Sequence, residues 1–253
     1  MRILLSNDDG IDSIGIKALA LGLIKAGHEV TVSAPDRERS AVGHGLTMFG
    51  PLFVHELERP YTAYSVSGTP ADCVRIGLEN LVKEPVDLVV AGINNGSNMG
   101  SDTIYSGTVS AAMEALLMGY PALAVSLKGR NQLHLDTAIH YALKVIDWME
   151  KNPPAPGIMY NLNTPDMPLA EIKGLKKARL ATKAYRGGYE RRVAPTGYTY
   201  YLMAAEIEKS VLRPDDDIYL SSQGWATITP LRWSFLDEGE YENIDCGEIL
   251  GFE

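Results

Sequence analysis

Two carboxylates stand side by side in Asn7-Asp8-Asp9-Gly10, directly after the short apolar run Ile3-Leu4-Leu5-Ser6. Adjacent like charges repel, so a fold that keeps them together gains from a positive charge between them, which a divalent cation supplies. Side chains on an extended strand alternate in direction, so Asp8 and Asp9 converge only if the chain turns at the strand end, a turn that Gly10 permits. The same residues also read as an Asx-type turn in which Asp9 caps the following helix. Two more polar segments come directly after apolar runs: residues 34–45, and Gly92-Ile93-Asn94-Asn95-Gly96-Ser97-Asn98. A pocket of carboxylate, hydroxyl and amide oxygens, without cysteine or a well-placed histidine pair, suits Mg²⁺, Mn²⁺ or Ca²⁺ better than zinc.

Complementary chemistry lies in Tyr105-Ser106-Gly107-Thr108-Val109. Ser106 and Thr108 place hydroxyls at a glycine-containing helix start, where free N–H groups and the positive end of the macrodipole favour an anion. Ordinary capping accounts for one of these hydroxyls. Two of them around a glycine, beside a Gly- and Asn-rich loop, favour a phosphate cradle.

These segments need strands to present them. Residues 3–6, 30–33, 86–91 and 122–126 are aliphatic along their length and read as strands, while 13–26, 69–82, 107–118 and 134–151 carry helical periodicity and helix-start residues. Such alternation builds a parallel sheet covered on both faces, so the expected fold is a three-layer, mainly parallel, Rossmann-like α/β domain. In such a sheet the carboxyl ends of the strands share one ligand crevice, so all three polar segments point to one place. The proline-rich run at 152–157 stops the last helix and is a candidate boundary; residues 158–162 read as one more strand. From about residue 174 the character changes, and residues 189–203, with Tyr198, Tyr200 and Tyr201 around Pro195-Thr196-Gly197, read as an extended β-hairpin. An isolated two-stranded ribbon is marginal in water, so this one needs a surface to cover, either its own domain or a partner subunit.

Lys and Arg total 23 against 32 Asp and Glu, a formal net charge of −9 that disfavours a polyanion-binding groove. The start of the sequence has no signal-peptide pattern and no apolar run is long enough to span a bilayer, so a cytoplasmic protein is expected. Cys73 and Cys246 are expected to be reduced thiols without metal-site spacing.

The ordered motifs Asn7-Asp8-Asp9-Gly10, Ala34-Pro35-Asp36-Arg37-Glu38-Arg39-Ser40, Gly43-His44, Gly68-Thr69-Pro70-Ala71-Asp72-Cys73-Val74, Gly92–Gly100 and Tyr105–Val109 resemble those of the SurE (survival protein E) family of nucleotidases. The resemblance continues through Pro195-Thr196-Gly197, Asp215-Asp216-Asp217 and Ile228-Thr229-Pro230-Leu231, and so covers nearly the whole chain. It implies a metal-dependent phosphomonoesterase acting on nucleoside monophosphates, 5′ and also 3′, with some action on short polyphosphate. It further implies one Mg²⁺ or Mn²⁺ held by Asp8, Asp9, Ser40 and Asn94, with Asn98, Ser106, Gly107 and Thr108 at the phosphate. A homodimer or homotetramer with exchanged C-terminal elements is implied too, dividing the chain into a catalytic core, 1–173, and an oligomerisation region, 174–253, that returns to the core. Phosphate monoesters resist hydrolysis because anionic oxygens repel the incoming oxygen, which a cation and hydroxyl or amide donors relieve. Either Asp8 or Asp9 can take a proton from the attacking water, and Asp8 as a covalent nucleophile is the alternative.

Other charged residues carry less. His44 reads as closing its loop by a hydrogen bond more readily than as an acid, and His28 as a solvated helix end; His55, His134 and His140 show no partner. Arg37 and Arg39 read as a solvated loop face, and Asp215–Asp217 either as an exposed acidic turn or as a loop reaching the site. Two rival classes fit worse. A receiver-type signalling domain needs an aspartate where this chain has Asn94, and a nicotinamide dehydrogenase needs a Gly-x-Gly-x-x-Gly after the first strand.

Overall fold

The computed structural model describes residues 1–129, 131, 133–182, 185, 186, 188–204, 206, 207 and 212–244. The strands run β1 (Arg2–Ser6), β2 (Glu29–Pro35), β3 (Val54–Leu57), β4 (Thr62–Val66), β5 (Leu88–Asn95), β6 (Ala122–Lys128), β7 (Met159–Pro165) and β8 (Leu175–Lys177). They continue with β9 (Tyr185–Arg186), β10 (Tyr189–Val193), β11 (Thr199–Met203), β12 (Glu206–Ile207) and β13 (Ala226–Leu231). The helices are α1 (Ile14–Lys25), α2 (Pro70–Ile76), α3 (Gly107–Leu117), α4 (Leu135–Lys151), α5 (Asp217–Ser222) and α6 (Glu238–Asn243).

Nine strands form one sheet in the order β3-β4-β2-β1-β5-β6-β7-β13-β8. From β4 to β7 all neighbours are parallel; β3 runs against β4 and β13 against β7. Strand alternation divides the core. Ile3, Leu5, Val30 and Val32 pack toward α1 (Ile16, Leu19, Leu23) and α4 (Ala142, Val145, Ile146). Leu4, Val89 and Ala91 pack toward Val74 of α2 and Val109, Ala112 and Ala115 of α3. Strands buried on both faces have no polar side to show, which is why they are aliphatic throughout.

From β1 the chain builds outward through β2 to β4, and from β5 it builds the other way through β6 to β7. The junction of β1 and β5 is therefore the point where the winding reverses, and the crevice above it is where a doubly wound sheet holds ligands.

The expected strands and helices are present, with three departures. The helix expected over 69–82 is α2 followed by a π-helical turn at Gly77–Leu81. Strand β5 does not stop at residue 91. It passes through a one-residue bulge, Ala91 pairing with Ala124 and Asn94 with Ser126, and ends at Asn95. A bulge shifts the alternation and so re-aims the next side chains along the strand, here Asn94. Gly92 is required at it, because a Cβ there would run into the Val125 carbonyl oxygen. Strands β3, β4, β8, β9, β12 and β13 have no counterpart among the expected strands.

The hairpin is present as β10 and β11, closed by Ala194 and Gly197, with Ala194 N–H donating to Tyr198 O at 2.8 Å. Every residue of both strands is exposed, Tyr189 at 68% and Tyr201 at 58%, so the described part of this chain does not cover it. Residues 152–157 link α4 to β7, and β8 and β13 join the central sheet. Cys73 is buried, and burial pushes its thiol pKa well up; Cys246 lies outside the described residues. Among the described residues no helix is long and apolar enough to cross a membrane.

Candidate functional site

The turn after β1 is held by Asn7, not by the aspartates. The Asn7 amide donates to Gly10 O at 2.9 Å and to Ser13 Oγ at 2.8 Å, and the N-cap of α1 is Ser13. Asp9 capping the helix is thereby excluded, and both carboxylates are left free of the turn. Asp8 is 4% exposed and its Oδ1 accepts the Thr108 hydroxyl at the first turn of α3. Burial pushes its pKa up, against the Thr108 hydroxyl and the N–H groups of Gly107 and Thr108, which favour its anion. Asp9 accepts from Asn95 N–H at 2.9 Å, at the end of β5. Burial, with Asp8 and Glu38 adding repulsion against the Asn95 bond, pushes Asp9 up to about 6.

The second polar segment joins through its backbone: Arg39 N–H donates to Asp8 O at 2.7 Å. Ser40 Oγ donates to Glu38 Oε1 at 2.6 Å, which occupies its proton and leaves its lone pairs open. The Asn94 amide nitrogen donates to Gly96 O at 2.9 Å, leaving its Oδ1 as the open acceptor.

Gly107 has a steric role. A Cβ on it would lie 2.7 Å from Asp8 Cβ and 2.9 Å from Asp8 Oδ2, so the close approach of carboxylate and helix end needs a glycine. Ser106 is the N-cap of α3, its Oγ accepting from Val109 N–H at 3.0 Å while its own proton remains available to a ligand.

Asn98 sits differently from the other seven residues. It is buried and bonded to β6 and β7: its N–H to Asn163 Oδ1 (2.9 Å), its amide nitrogen to Ser126 Oγ (2.9 Å), and its carbonyl to the amides of Asn161 (2.8 Å) and Asn163 (3.0 Å). These three partners were missed from sequence. The pattern Asn161-Leu162-Asn163 was a usable signal, because it puts two amides on one face of a strand buried on both faces.

The remaining polar residues acquire plain duties. His44 Nε2 lies 2.8 Å from Glu114 Oε2, and the buried Glu114 also takes Arg75 at 2.6 Å. His44, foremost, and Arg75 hold the Glu114 carboxyl below its usual range, so His44 closes its loop onto α3. Thr47 ties the same loop to Asp72, its hydroxyl 2.6 Å from Oδ2, while Asp72 completes a capping box with Thr69 on α2. Arg39 donates to Ser67 O at 2.7 Å rather than standing free. His28 is half-buried, its Nδ1 3.3 Å from the Met1 amino group, which corrects its reading as a solvated helix end. Of the three C-terminal aspartates only Asp215 is exposed, paired with Arg179 at 2.9 Å; Asp216 and Asp217 are buried, so an exposed acidic turn describes one of them.

Fold and geometry together define a doubly wound α/β protein with two adjacent carboxylates at its switch point, one of them against a helix N-terminus. The sequence profile of the family described as survival protein SurE matches residues 3–187. The 5′-nucleotidase SurE of Synechococcus sp. (strain JA-3-3Ab) is 43% identical, covering 100% of this chain and 99% of its own length. The 5′-nucleotidase SurE of Moorella thermoacetica is 45% identical over 92% of this chain and 90% of its own. The crystal structure of the SurE protein from Aquifex aeolicus superposes with a TM-score of 0.88 at 33% identity, covering 99% of this chain and 100% of that one. The chain belongs to the SurE family.

Proposed function

We propose that the chain is a 5′-nucleotidase, a divalent-metal-dependent phosphomonoesterase that converts nucleoside monophosphates to nucleoside and phosphate. The observation that carries this reading is the pair Asp8 and Asp9 at the β1/β5 switch point, one carboxylate seated on the α3 N-terminus and the other against the end of β5. The full-length relatives named 5′-nucleotidase support the substrate class.

The donor chemistry fits a hard cation. Two carboxylates, the Ser40 hydroxyl with its proton occupied and the Asn94 carbonyl make an all-oxygen set suited to one Mg²⁺ or Mn²⁺. Among the described residues no group of three or more His, Cys, Asp or Glu is suited to a metal, so Ser40 and Asn94 are needed to complete the set. The bound cation supplies positive charge to the phosphoryl oxygens and acidifies water. The chain's own residues do the rest. Ser106 and the first-turn N–H groups of α3 orient the phosphate, and Thr108 fixes the rotamer of Asp8. Asn98 holds the loop wall between β5 and α3, and Asp8 or Asp9 accepts the proton of the attacking water.

Phosphate release from a panel of nucleoside 5′- and 3′-monophosphates and short polyphosphate, with Mg²⁺, Mn²⁺ or EDTA, tests this. Metal-dependent release from the 5′-monophosphates is the expected result, and the 3′-monophosphates and polyphosphate measure its breadth. Release that persists in EDTA, or none with any metal, overturns the assignment.

The same reading makes the protein a cytoplasmic homodimer or homotetramer in which the C-terminal part is exchanged. The exposed Tyr189, Val193, Tyr201, Leu202 and Met203 of β10 and β11 support it, since large apolar side chains gathered on a two-stranded ribbon gain by covering a neighbouring subunit. Light scattering on the full-length protein is expected to give a multiple of the 27.6 kDa chain mass. A monomer mass removes this part of the proposal.

A further inference from the structure

The segment between β5 and α3 carries Asn98 at one end and Ser106 at the other, with a 3₁₀ turn over Gly100–Ile104 between them. Its backbone is held from outside. Asn161 and Asn163 take the peptide groups of Asn98, and the Gly100 N–H donates to Asp217 Oδ2 at 2.8 Å. Asp217 is 0% exposed, and its Oδ1 accepts from Ala181 N–H at 3.0 Å and from Ile218 N–H at 2.8 Å. The carboxylate thus joins three stretches of chain far apart in sequence. Gly100 has φ +56°, and a Cβ on it would lie 2.6 Å from Ala181 O, so the backbone at Ala181 also packs directly on the turn. A second bond acts on the same residue, the Thr103 hydroxyl donating to Gly100 O at 2.8 Å.

Burying a carboxylate is costly unless its oxygens are bonded, and charge-assisted bonds to backbone N–H are among the stronger ones. A residue serving only α5 would need no more than its local N–H. Asp217 instead reaches a turn two positions after Asn98. We propose that Asp217 is a positioning residue for the phosphate cradle, fixing the turn between Asn98 and Ser106 from the C-terminal part of the chain. This rests on reading Ser106 as part of the phosphate site and Asn98 as the residue that holds the wall of its loop. The main chain departs toward the hairpin after Ala181 and is back at Asp217, so one carboxylate ties both ends of that excursion to the site.

The test is Asp217→Asn in the full-length protein. The amide keeps the shape but turns an N–H₂ toward one of the donors. Loss of one charge-assisted bond predicts roughly tenfold or more faster hydrogen exchange in peptides covering residues 96–106, with residues 3–12 unchanged. The KM for adenosine 5′-monophosphate rises roughly tenfold while kcat falls by less than about threefold, and the Mn²⁺-induced rise in melting temperature is kept. Unchanged exchange over 96–106, or faster exchange with an unchanged KM, overturns the proposal. Should Asp217→Asn fail to fold, Thr103→Val decides: it releases Gly100 O without touching a buried charge. A raised KM at near wild-type melting temperature supports the proposal, and an unchanged KM overturns it. If the wild type releases no phosphate, the nucleotidase reading fails, while the exchange comparison still decides whether Asp217 fixes the turn.

Discussion

Asp9→Asn lowers metal-dependent phosphate release by about a thousandfold, equivalent to ~4 kcal/mol of transition-state stabilisation, while leaving the protein folded. The asparagine carbonyl can keep the bond from Asn95 N–H, so the turn after β1 survives. What is lost is one anionic oxygen of the cation site. Stability should move the opposite way. The Asp9 carboxyl is pushed up to about 6 from 3.8, so its ionisation is disfavoured by folding. For a carboxyl raised in the folded state, stability is full at low pH, falls as pH rises from 3.8 through about 6, and stays lower above. At pH 8 the metal-free variant should therefore melt no lower than metal-free wild type. Added Mn²⁺ raises the wild-type melting temperature, less so below about pH 6 where protons compete, and leaves the variant almost unmoved. Thermal melts with and without Mn²⁺ across pH 5–8, beside activity assays, check all three statements. Full activity in the variant, or an undiminished Mn²⁺ shift, sinks the assignment of Asp9.

Gly107→Ala separates local helix energetics from the demands of the site. Gly107 is the first residue of α3, where alanine is the better helix former by up to ~1 kcal/mol. If the glycine answered only to the helix, the substitution would stabilise the protein and leave activity alone. The added Cβ, however, meets Asp8 Cβ at 2.7 Å, Asp8 Oδ2 at 2.9 Å and Pro70 Cγ at 3.1 Å. Asp8 Cβ is fixed to the backbone, so no rotamer relieves the contact; the end of β1 and the start of α3 must shift apart, which pulls the Asp8 carboxylate from the Thr108 hydroxyl and from its place in the cation site. Activity should fall by roughly a hundredfold, as misplacing a reacting group by about an ångström does. The overpacking should cost about 1–3 kcal/mol and lower the melting temperature, the reverse of what helix propensity alone predicts, and the Mn²⁺ affinity should weaken. Wild-type kinetics in Gly107→Ala would mean that Asp8 does not need its seat on the helix end.

Much of the site was legible because its chemistry is local. The adjacent pair Asp8-Asp9, the hydroxyls flanking Gly107 and the polar run ending at Asn98 each sit next to an aliphatic strand or a helix start, and the parallel topology then brings them to the same end of the sheet. Less could be read where the decisive partner is distant. Ser126, Asn161 and Asn163 lie within strands that look hydrophobic overall, and only the paired alternation at 161 and 163 hints at a polar face. The bulge in β5 was hidden because Gly92 reads as the end of a strand, whereas it marks a close approach to Val125 within a strand that continues. Strand β4, Thr-Ala-Tyr-Ser-Val, has too few aliphatic residues to stand out, and β13 is set in place by its antiparallel pairing with β7, a choice of neighbour that local propensity does not encode. The three aspartates at 215–217 look alike in sequence, yet one faces water and two are buried, since burial is decided by the chain segments that close over them.

The place of β13 between β7 and β8 also bears on how the protein is made. A ribosome delivers the chain N-terminus first, so β1 to β7 emerge with their covering helices well before residue 226. Until then β7 is the outer strand of the nascent sheet, and the strand that will shield it is still unsynthesised. A strand built for burial on both sides is then an open edge, able to recruit another nascent chain. Translation of the final segment therefore does two things at once: it closes that edge and supplies the buried carboxylate that reaches Gly100, so a stalled or truncated product is both unfinished as a nucleotidase and prone to aggregate.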